Sequence, residues 1–267
     1  MVDRADGNGP PQKVAVVIAA RNDRRTISAT VRACRAIPGV DLIVVVDDAS
    51  DDETAQAARS AGAVVVRHSM PRGRASALET GVKVAAMRDR ADWPPRHLLF
   101  LDPDLGDSGV GATPLVEAVV SGEADCAIGF SVSEAEALRE RRKARNVRQG
   151  ATKLVQTRTG WQPKDVMAHE KCLTRDAVDA VMPFASGATL DVAMTIDLLE
   201  RGFTVVEIPC DFEHSGAESE DGTLVAPNSR FGKTNFLLPV QMRWQTRRWR
   251  PGRVRPDAGS AEAAEAE

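Results

Sequence analysis

Five short, continuous apolar runs punctuate the first half of the chain: KVAVVIAA (13 to 20), DLIVVVDD (41 to 48), AVVVRH (63 to 68), HLLFLD (97 to 102) and ADCAIGF (124 to 130). They are mostly rich in β-branched residues and lack the polar alternation of a half-exposed strand, which is the pattern of strands buried on both faces. Between them the apolar positions switch to helical spacing, over residues 26 to 36, 52 to 60, 75 to 87 and 113 to 121. Thr54, Ser76 and Thr113 stand near the predicted helix starts, and Gly62 and Gly122 near stops. Repeated strand, helix, strand units predict an α/β fold: a mainly parallel, Rossmann-like sheet with helices on both faces and right-handed crossovers. In such a sheet ligands bind at the carboxyl ends of the strands.

That rule gives the polar residues after each strand a common location. The first run ends in Ala20, Arg21, Asn22 and Asp23, the second in Asp47, Asp48, Ala49 and Ser50, and the fourth in Asp102 and Asp104. Each cluster alone also fits a turn or helix cap, with Asn22 or Asp23 capping the helix at Thr26 and Asp48 or Ser50 capping the one near Asp52. Recurrence on one edge favours a site. Asp102 and Asp104, one residue apart at a strand end, suit a hard divalent cation such as Mg²⁺ or Mn²⁺ held jointly with a diphosphate.

Composition narrows the class. With 267 residues and 43% hydrophobic content, the chain can bury a core as one domain or one domain plus an appendage. A net charge of -3 with 27% charged residues gives no global signature of nucleic-acid binding. Cys34, Cys126, Cys172 and Cys210 form no CxxC pair, and the apolar surroundings of Cys126 and Cys210 predict buried free thiols. The N-terminal MVDRADGNGPPQ has no apolar signal core, and no run is long enough to cross a bilayer, so a cytoplasmic protein is expected.

Several segments together resemble family 2 glycosyltransferases of the GT-A fold. VVIAARNDRRTISATVRAC is similar to the family's opening strand and helix, VVVDDASDDETAQAARSAGA to its VDDGS-type turn, PRGRASALETGVKVA to its Gly-Lys-Gly turn and helix, and FLDPDLGDS to its DxD strand. HEKCLTRDAVDAVMPFASGATLDVAMTIDLLERGFTVVEIPCDFEH resembles the acceptor half, as in small actinobacterial members and polyprenyl-phosphate sugar transferases. The likeness covers residues 13 to 215, with Asp23 in place of the commoner Glu, Arg21 in place of a neutral residue and Arg74 in place of Lys.

The resemblance implies a metal-dependent hexosyltransferase that uses a nucleoside diphosphate sugar and a lipid-linked or phosphorylated acceptor, for example polyprenyl phosphate. It assigns Ala20, Asn22, Asp23, Asp47 and Asp48 to base and ribose contacts, and Arg74, with Asp102, to the diphosphate. Asp102 and Asp104 would anchor Mn²⁺ or Mg²⁺, with His214 at a position where related enzymes carry a histidine near the metal. Asp191 falls where an acidic residue opens a helix facing the donor and is the first choice for a catalytic base; Asp197, six residues on, points away from the same face. If the acceptor is already a phosphate anion, no strong base is needed.

Two basic stretches bear on partners. LRERRKARNVR (138 to 148) carries six Arg or Lys residues against one Glu, and suits either an anionic acceptor or a solvated helix face. QMRWQTRRWRPGRVRP (241 to 256) has six arginines and two tryptophans with no acid. Together with the preceding FLLPV it makes 236 to 256 a candidate contact for an anionic membrane surface, placing the protein peripherally at the inner face of the plasma membrane. No nucleic-acid partner is expected. The predicted organisation is a disordered 1–12, a glycosyltransferase domain over 13–215 with a nucleotide-sugar half (13–130) and an acceptor half (131–215), a basic and aromatic extension over 216–256, and a disordered acidic tail over 257–267. The competing functions are a nucleotidyltransferase, disfavoured by the absence of a Gly-rich basic loop after the first strand, and a non-catalytic GT-A-like protein that binds a nucleotide or membrane.

Overall fold

Strands made of unbroken apolar residues need cover on both faces, and the chain supplies it. A computed structural model describes residues 10–131, 142–215, 217–218 and 224–225. The strands β1 (Val14–Ala20), β2 (Val40–Asp47), β3 (Val64–Arg67), β4 (His97–Leu101) and β5 (Cys126–Phe130) fall where the apolar runs predict them. Two more, β6 (Lys171–Leu173) and β7 (Val205–Pro209), complete a seven-stranded sheet of order β3-β2-β1-β4-β6-β5-β7. Every pairing is parallel except those of β6, which runs antiparallel to both β4 and β5. The sheet is therefore mainly parallel, as expected, with one reversed strand. Residues 217–218 and 224–225 form a separate two-stranded pair.

Alternate residues of β1 feed two cores. Val14, Val16, Ile18 and Ala20 pack with Ile27, Val31 and Cys34 of α1 (Ile27–Cys34), Ala58 of α2 (Thr54–Ser60) and Leu115, Val116 and Val119 of α4 (Thr113–Val120). On the other face Ala15, Val17 and Ala19 meet Leu78, Val82 and Ala85 of α3 (Arg74–Ala86), together with Val178 of α6 (Arg175–Val181) and Met194 of α7 (Leu190–Glu200). A third layer stacks α5 (Arg142–Thr159) on α7 through Ala151, Val155, Val192 and Ile196. Helix α3 lies very close to the sheet at Gly81, where an added Cβ would sit 2.2 Å from Val17 Cγ1. All four cysteines are free and buried, as expected.

Chain order sets the ligand edge. From β1 the chain moves outward through β2 and β3, then returns to β4 on β1's other side, so the topological switch point lies between β1 and β4. The crevice beyond the carboxyl ends of those strands is where such sheets bind ligands. The helix starts at Thr54 and Thr113 agree with the sequence, whereas α3 begins at Arg74, two residues before Ser76. That shift places the Arg74 guanidinium at the ligand edge. Among the described residues no helix is long and apolar enough to cross a membrane. Residues 236–256, the acidic tail and most of the basic run 138–148 lie outside the described side chains.

Candidate functional site

The three polar turns do share one edge. After β1 the backbone turns at Asn22, with φ +59°, and Asn22 N–H donates to Ser50 Oγ at 3.0 Å while its Oδ1 accepts from Asp51 N at 2.8 Å. Asp23 is buried, accepts from Arg21 N at 2.8 Å, and donates its own N–H to Thr54 Oγ1 at 2.8 Å. The turns after β1 and β2 are thus laced together. At the start of α2, Thr54 N is held by Asp52 Oδ1 at 2.9 Å, a place that neither Asp48 nor Ser50 takes.

Asp47 and Asp48 turn inward. Asp47 accepts from the N–H and hydroxyl of Ser50 and lies 3.3 Å from Arg67 Nε, and Ala20's carbonyl accepts from Asp48 N at 2.9 Å. Asp48 holds His68 Nδ1 at 2.7 Å and accepts from the N–H groups of Arg72 and Gly73, each at 2.8 Å. His68 Nε2 in turn lies 3.0 Å from Thr80 Oγ1. The two carboxylates sit at the predicted edge, yet in this arrangement they staple loops rather than face outward. Asp48 in particular fixes the segment that delivers Arg74.

At the end of β4 the charges crowd. Asp102, Asp104 and His214 each offer one ligand atom, and those atoms lie within 4.8 Å of one another. Two carboxylates and an imidazole suit Mn²⁺, and the oxygens alone suit Mg²⁺. His214 Nδ1 is 3.0 Å from Asp104 Oδ1, and Ser215 N donates to the Asp104 carbonyl at 3.0 Å, so the segment after β7 is pinned to the DxD turn. Asp102 lies 2.7 Å from His169 Nδ1 and 3.6 Å from Arg74 Nε. Burial works against its ionisation, but His169 and then Arg74 outweigh it and hold the carboxyl well below the usual range. Desolvation likewise opposes charge on His214, yet the bond to Asp104 and the nearby Glu170 and Asp102 raise it to about 10.

Asp191 opens α7 on the same side. Its carboxylate meets Lys171 Nζ at 2.8 Å, Arg74 Nη1 at 3.3 Å and His169 Nε2 at 3.4 Å. Burial alone would raise its pKa; Lys171, Arg74 and His169 reverse that and bring it to about 2. Asp197 lies elsewhere, 3.7 Å from Arg201, as the helical spacing requires. Asn22, Asp23, Asp47, Asp48, Arg74, Asp102, Asp104, Asp191 and His214 thus gather at one sheet edge, with Asp47 and Asp48 turned into the loops behind it and Asp197 apart from them.

Three residues of this cluster, His169, Glu170 and Lys171, had no role assigned from sequence. The reversed strand brings them in. Because β6 runs antiparallel to β4 with Lys171 opposite Phe100, extending the register by two residues sets His169 opposite Asp102. The available signal was a charged HEK run entering an apolar stretch, but a three-residue strand carrying a lysine lacks the pattern of a buried strand.

Comparison with known proteins fits this geometry. The sequence model of Glycosyl transferase family 2 matches residues 15–182. The chain belongs to that family. Among curated relatives, it is 31% identical to glycosyltransferase AglD of Haloferax volcanii over 247 residues, 86% of this chain and 38% of the relative. It is also 31% identical to the uncharacterized protein MJ1222 of Methanocaldococcus jannaschii over 127 residues, 48% of this chain and 50% of the relative. The chain thus spans half or less of the length of these relatives. Among solved structures, glucosyl-3-phosphoglycerate synthase of Mycobacterium tuberculosis with Mg²⁺ and UDP has a TM-score of 0.62 at 20% identity, covering 77% of this chain and 72% of that one. The same enzyme has been crystallised with Mn²⁺, UDP and phosphoglyceric acid, at TM-score 0.61 and 19% identity over 77% of this chain and 72% of that one. This likeness establishes the GT-A fold.

Proposed function

We propose that the protein is a metal-dependent glycosyltransferase that moves a sugar from a nucleoside diphosphate donor to a phosphorylated acceptor. The observation that carries this reading is the Asp102, Asp104 and His214 cluster at the switch-point crevice of a family 2 domain. A divalent cation held there supplies Lewis-acid stabilisation of the departing nucleoside diphosphate. Asn22 and Asp23 border the nucleotide, with Asp47 and Asp48 shaping the wall behind it. Arg74, beside Asp102, is placed to meet diphosphate oxygens with a planar fork of donors.

The state of Asp191 favours a phosphate nucleophile. A carboxylate with a pKa of about 2, held by Lys171 and Arg74, is a feeble base toward a sugar hydroxyl. An acceptor that arrives as a phosphate oxyanion needs no base, and Asp191 then orients the cations around it. Polyprenyl phosphate and small phosphorylated acids both offer this chemistry, and the solved relative with phosphoglyceric acid bound supports the class.

The test is a thermal-shift screen of nucleoside diphosphates and their sugars with and without Mn²⁺, followed by transfer assays onto both acceptor types. A ligand at a hundred times its Kd adds about 2.7 kcal/mol of apparent stability. A Mn²⁺-dependent shift that disappears in Asp104→Ala supports the reading, and no shift with any donor sinks it. Pyrophosphate release from a nucleoside triphosphate would instead make the protein a nucleotidyltransferase. We extend the proposal to a membrane-facing role for residues 236–256. Sedimentation with anionic vesicles should fall when they are removed, and unchanged sedimentation rejects that role.

A further inference from the structure

We infer that Glu170 is the positioning residue of the divalent-cation site, holding the His214 ring through Nε2 so that Nδ1 is presented beside Asp104; this rests on the metal-dependent reading above. Glu170 is only 5% exposed, and its Oε1 makes no hydrogen bond. A buried carboxylate oxygen without a hydrogen-bond partner is costly, so its retention calls for a local use. Oε1 lies 3.7 Å from His214 Nε2, too long for a hydrogen bond but within ion-pair range. The opposite ring nitrogen, Nδ1, is 3.0 Å from Asp104 Oδ1, and the ring is one of the three side chains whose ligand atoms converge within 4.8 Å. Nδ1 thus faces Asp104 while Nε2 faces Glu170.

This is the arrangement by which a metal-bound imidazole is usually steered. The ring nitrogen not used for the metal donates to a carboxylate, which fixes the tautomer and makes the ligating nitrogen more basic. Glu170 is well anchored for that work, because its carbonyl accepts from Gly129 N at 2.9 Å, at the end of the β5–β6 ladder. The pairing spans the domain: Glu170 precedes the reversed strand β6, and His214 follows β7. The ring is thereby braced from two sides, by Asp104 and by Glu170. Glu170 acts through His214 and is not itself one of the converging ligands.

The experiment is a Mn²⁺ titration of the full chain without nucleotide, with free Mn²⁺ followed by electron paramagnetic resonance. Glu170→Ala should weaken Mn²⁺ affinity about 10- to 100-fold. Glu170→Gln, whose amide oxygen can still accept from Nε2, should recover most of that loss. In a His214→Ala background, Glu170→Ala should add nothing, because the residue it orients is gone. Wild-type affinity in Glu170→Ala, or an equal further loss in the His214→Ala background, overturns the inference. Asp104→Ala separates the two levels: if it binds Mn²⁺ as tightly as the wild type, the metal site itself is wrong. If it loses Mn²⁺ while Glu170→Ala does not, only the role of Glu170 fails.

Discussion

Arg74 Nη1 lies 3.3 Å from the Asp191 carboxylate, although 117 positions separate the two residues in the chain. Each stands in the first turn of its helix, α3 for Arg74 and α7 for Asp191. A carboxylate suits that end of a helix dipole and a guanidinium does not. Arg74 is held there by Asp191, Asp102 and the His169 carbonyl, and this joins the segments before and after β5 into one charged surface. Arg74→Ala should therefore affect both sides of the reaction. Donor affinity is expected to fall, and a double-mutant cycle with Asp191→Ala should return a coupling of about 0.5–3 kcal/mol in equilibrium unfolding. Strict additivity would mean that the contact is energetically idle.

The acid side of the stability profile reports on Asp191. Its folded pKa of about 2 lies below the ordinary 3.8, so its contribution is fully present above about pH 4 and is lost as pH falls through 2. The shift corresponds to roughly 2 kcal/mol. Denaturant unfolding of the wild type and Asp191→Asn should differ most near neutrality, where Asn leaves Lys171 and Arg74 under-compensated. The gap should close between pH 4 and pH 2. A gap independent of pH would assign the effect to packing instead of charge.

Lys171 is a buried ammonium whose partners are the Ala168 carbonyl and Asp191. Removing one member of a buried ion pair typically costs about 3–5 kcal/mol. Lys171→Met should show a loss of that size by chemical denaturation, and Asp191→Leu should cost less in that background than in the wild type, because the ammonium it would strand is already gone. Equal costs of Asp191→Leu in the two backgrounds would mean that the pair is not the source of the loss.

Helix α3 and strand β1 touch where Gly81 meets Val17. Gly81→Ala places a methyl group against a β-branched side chain that cannot swing aside, and overpacking of this kind costs about 1–3 kcal/mol. Val17→Ala should relieve it, making the double variant more stable than Gly81→Ala alone. A Gly81→Ala melt equal to the wild type would show that α3 can lift without penalty.

Asp48 bonds to the N–H groups of Arg72 and Gly73, just before Arg74. Asp48→Ala leaves these donors without their partner, at a cost of about 1–3 kcal/mol. Amide exchange at Arg72 and Gly73 should accelerate, and donor affinity should fall in parallel with Arg74→Ala. Protection unchanged at those amides would dismiss the staple.

Residues 13 to 130 were legible because a strand buried on both faces leaves an uninterrupted apolar run, as β1, β2 and β4 do. The sheet edge shared by Asn22, Asp47 and Asp102 followed from strand direction alone. The inward turn of Asp47 and Asp48 was not legible, since it depends on Ser50, Arg67, His68 and the 72–73 backbone arriving from other segments. Nor could His169 be placed, because β6 has only three residues and its reversed pairing is decided by neighbours distant in sequence. Asp191 was legible as an acidic helix start, but the cations that make it so acidic, Lys171 and Arg74, come from two other elements.

In an all-parallel sheet only chain that is leaving a strand reaches the ligand edge. By running backwards, β6 lets chain that is entering a strand do so as well, and it does this with three residues. What sits opposite Asp102 is consequently delivered by the segment that precedes β6, 160 to 168, and not by the turns after β1 and β2. One reversed strand thus gives the domain a separately supplied wall.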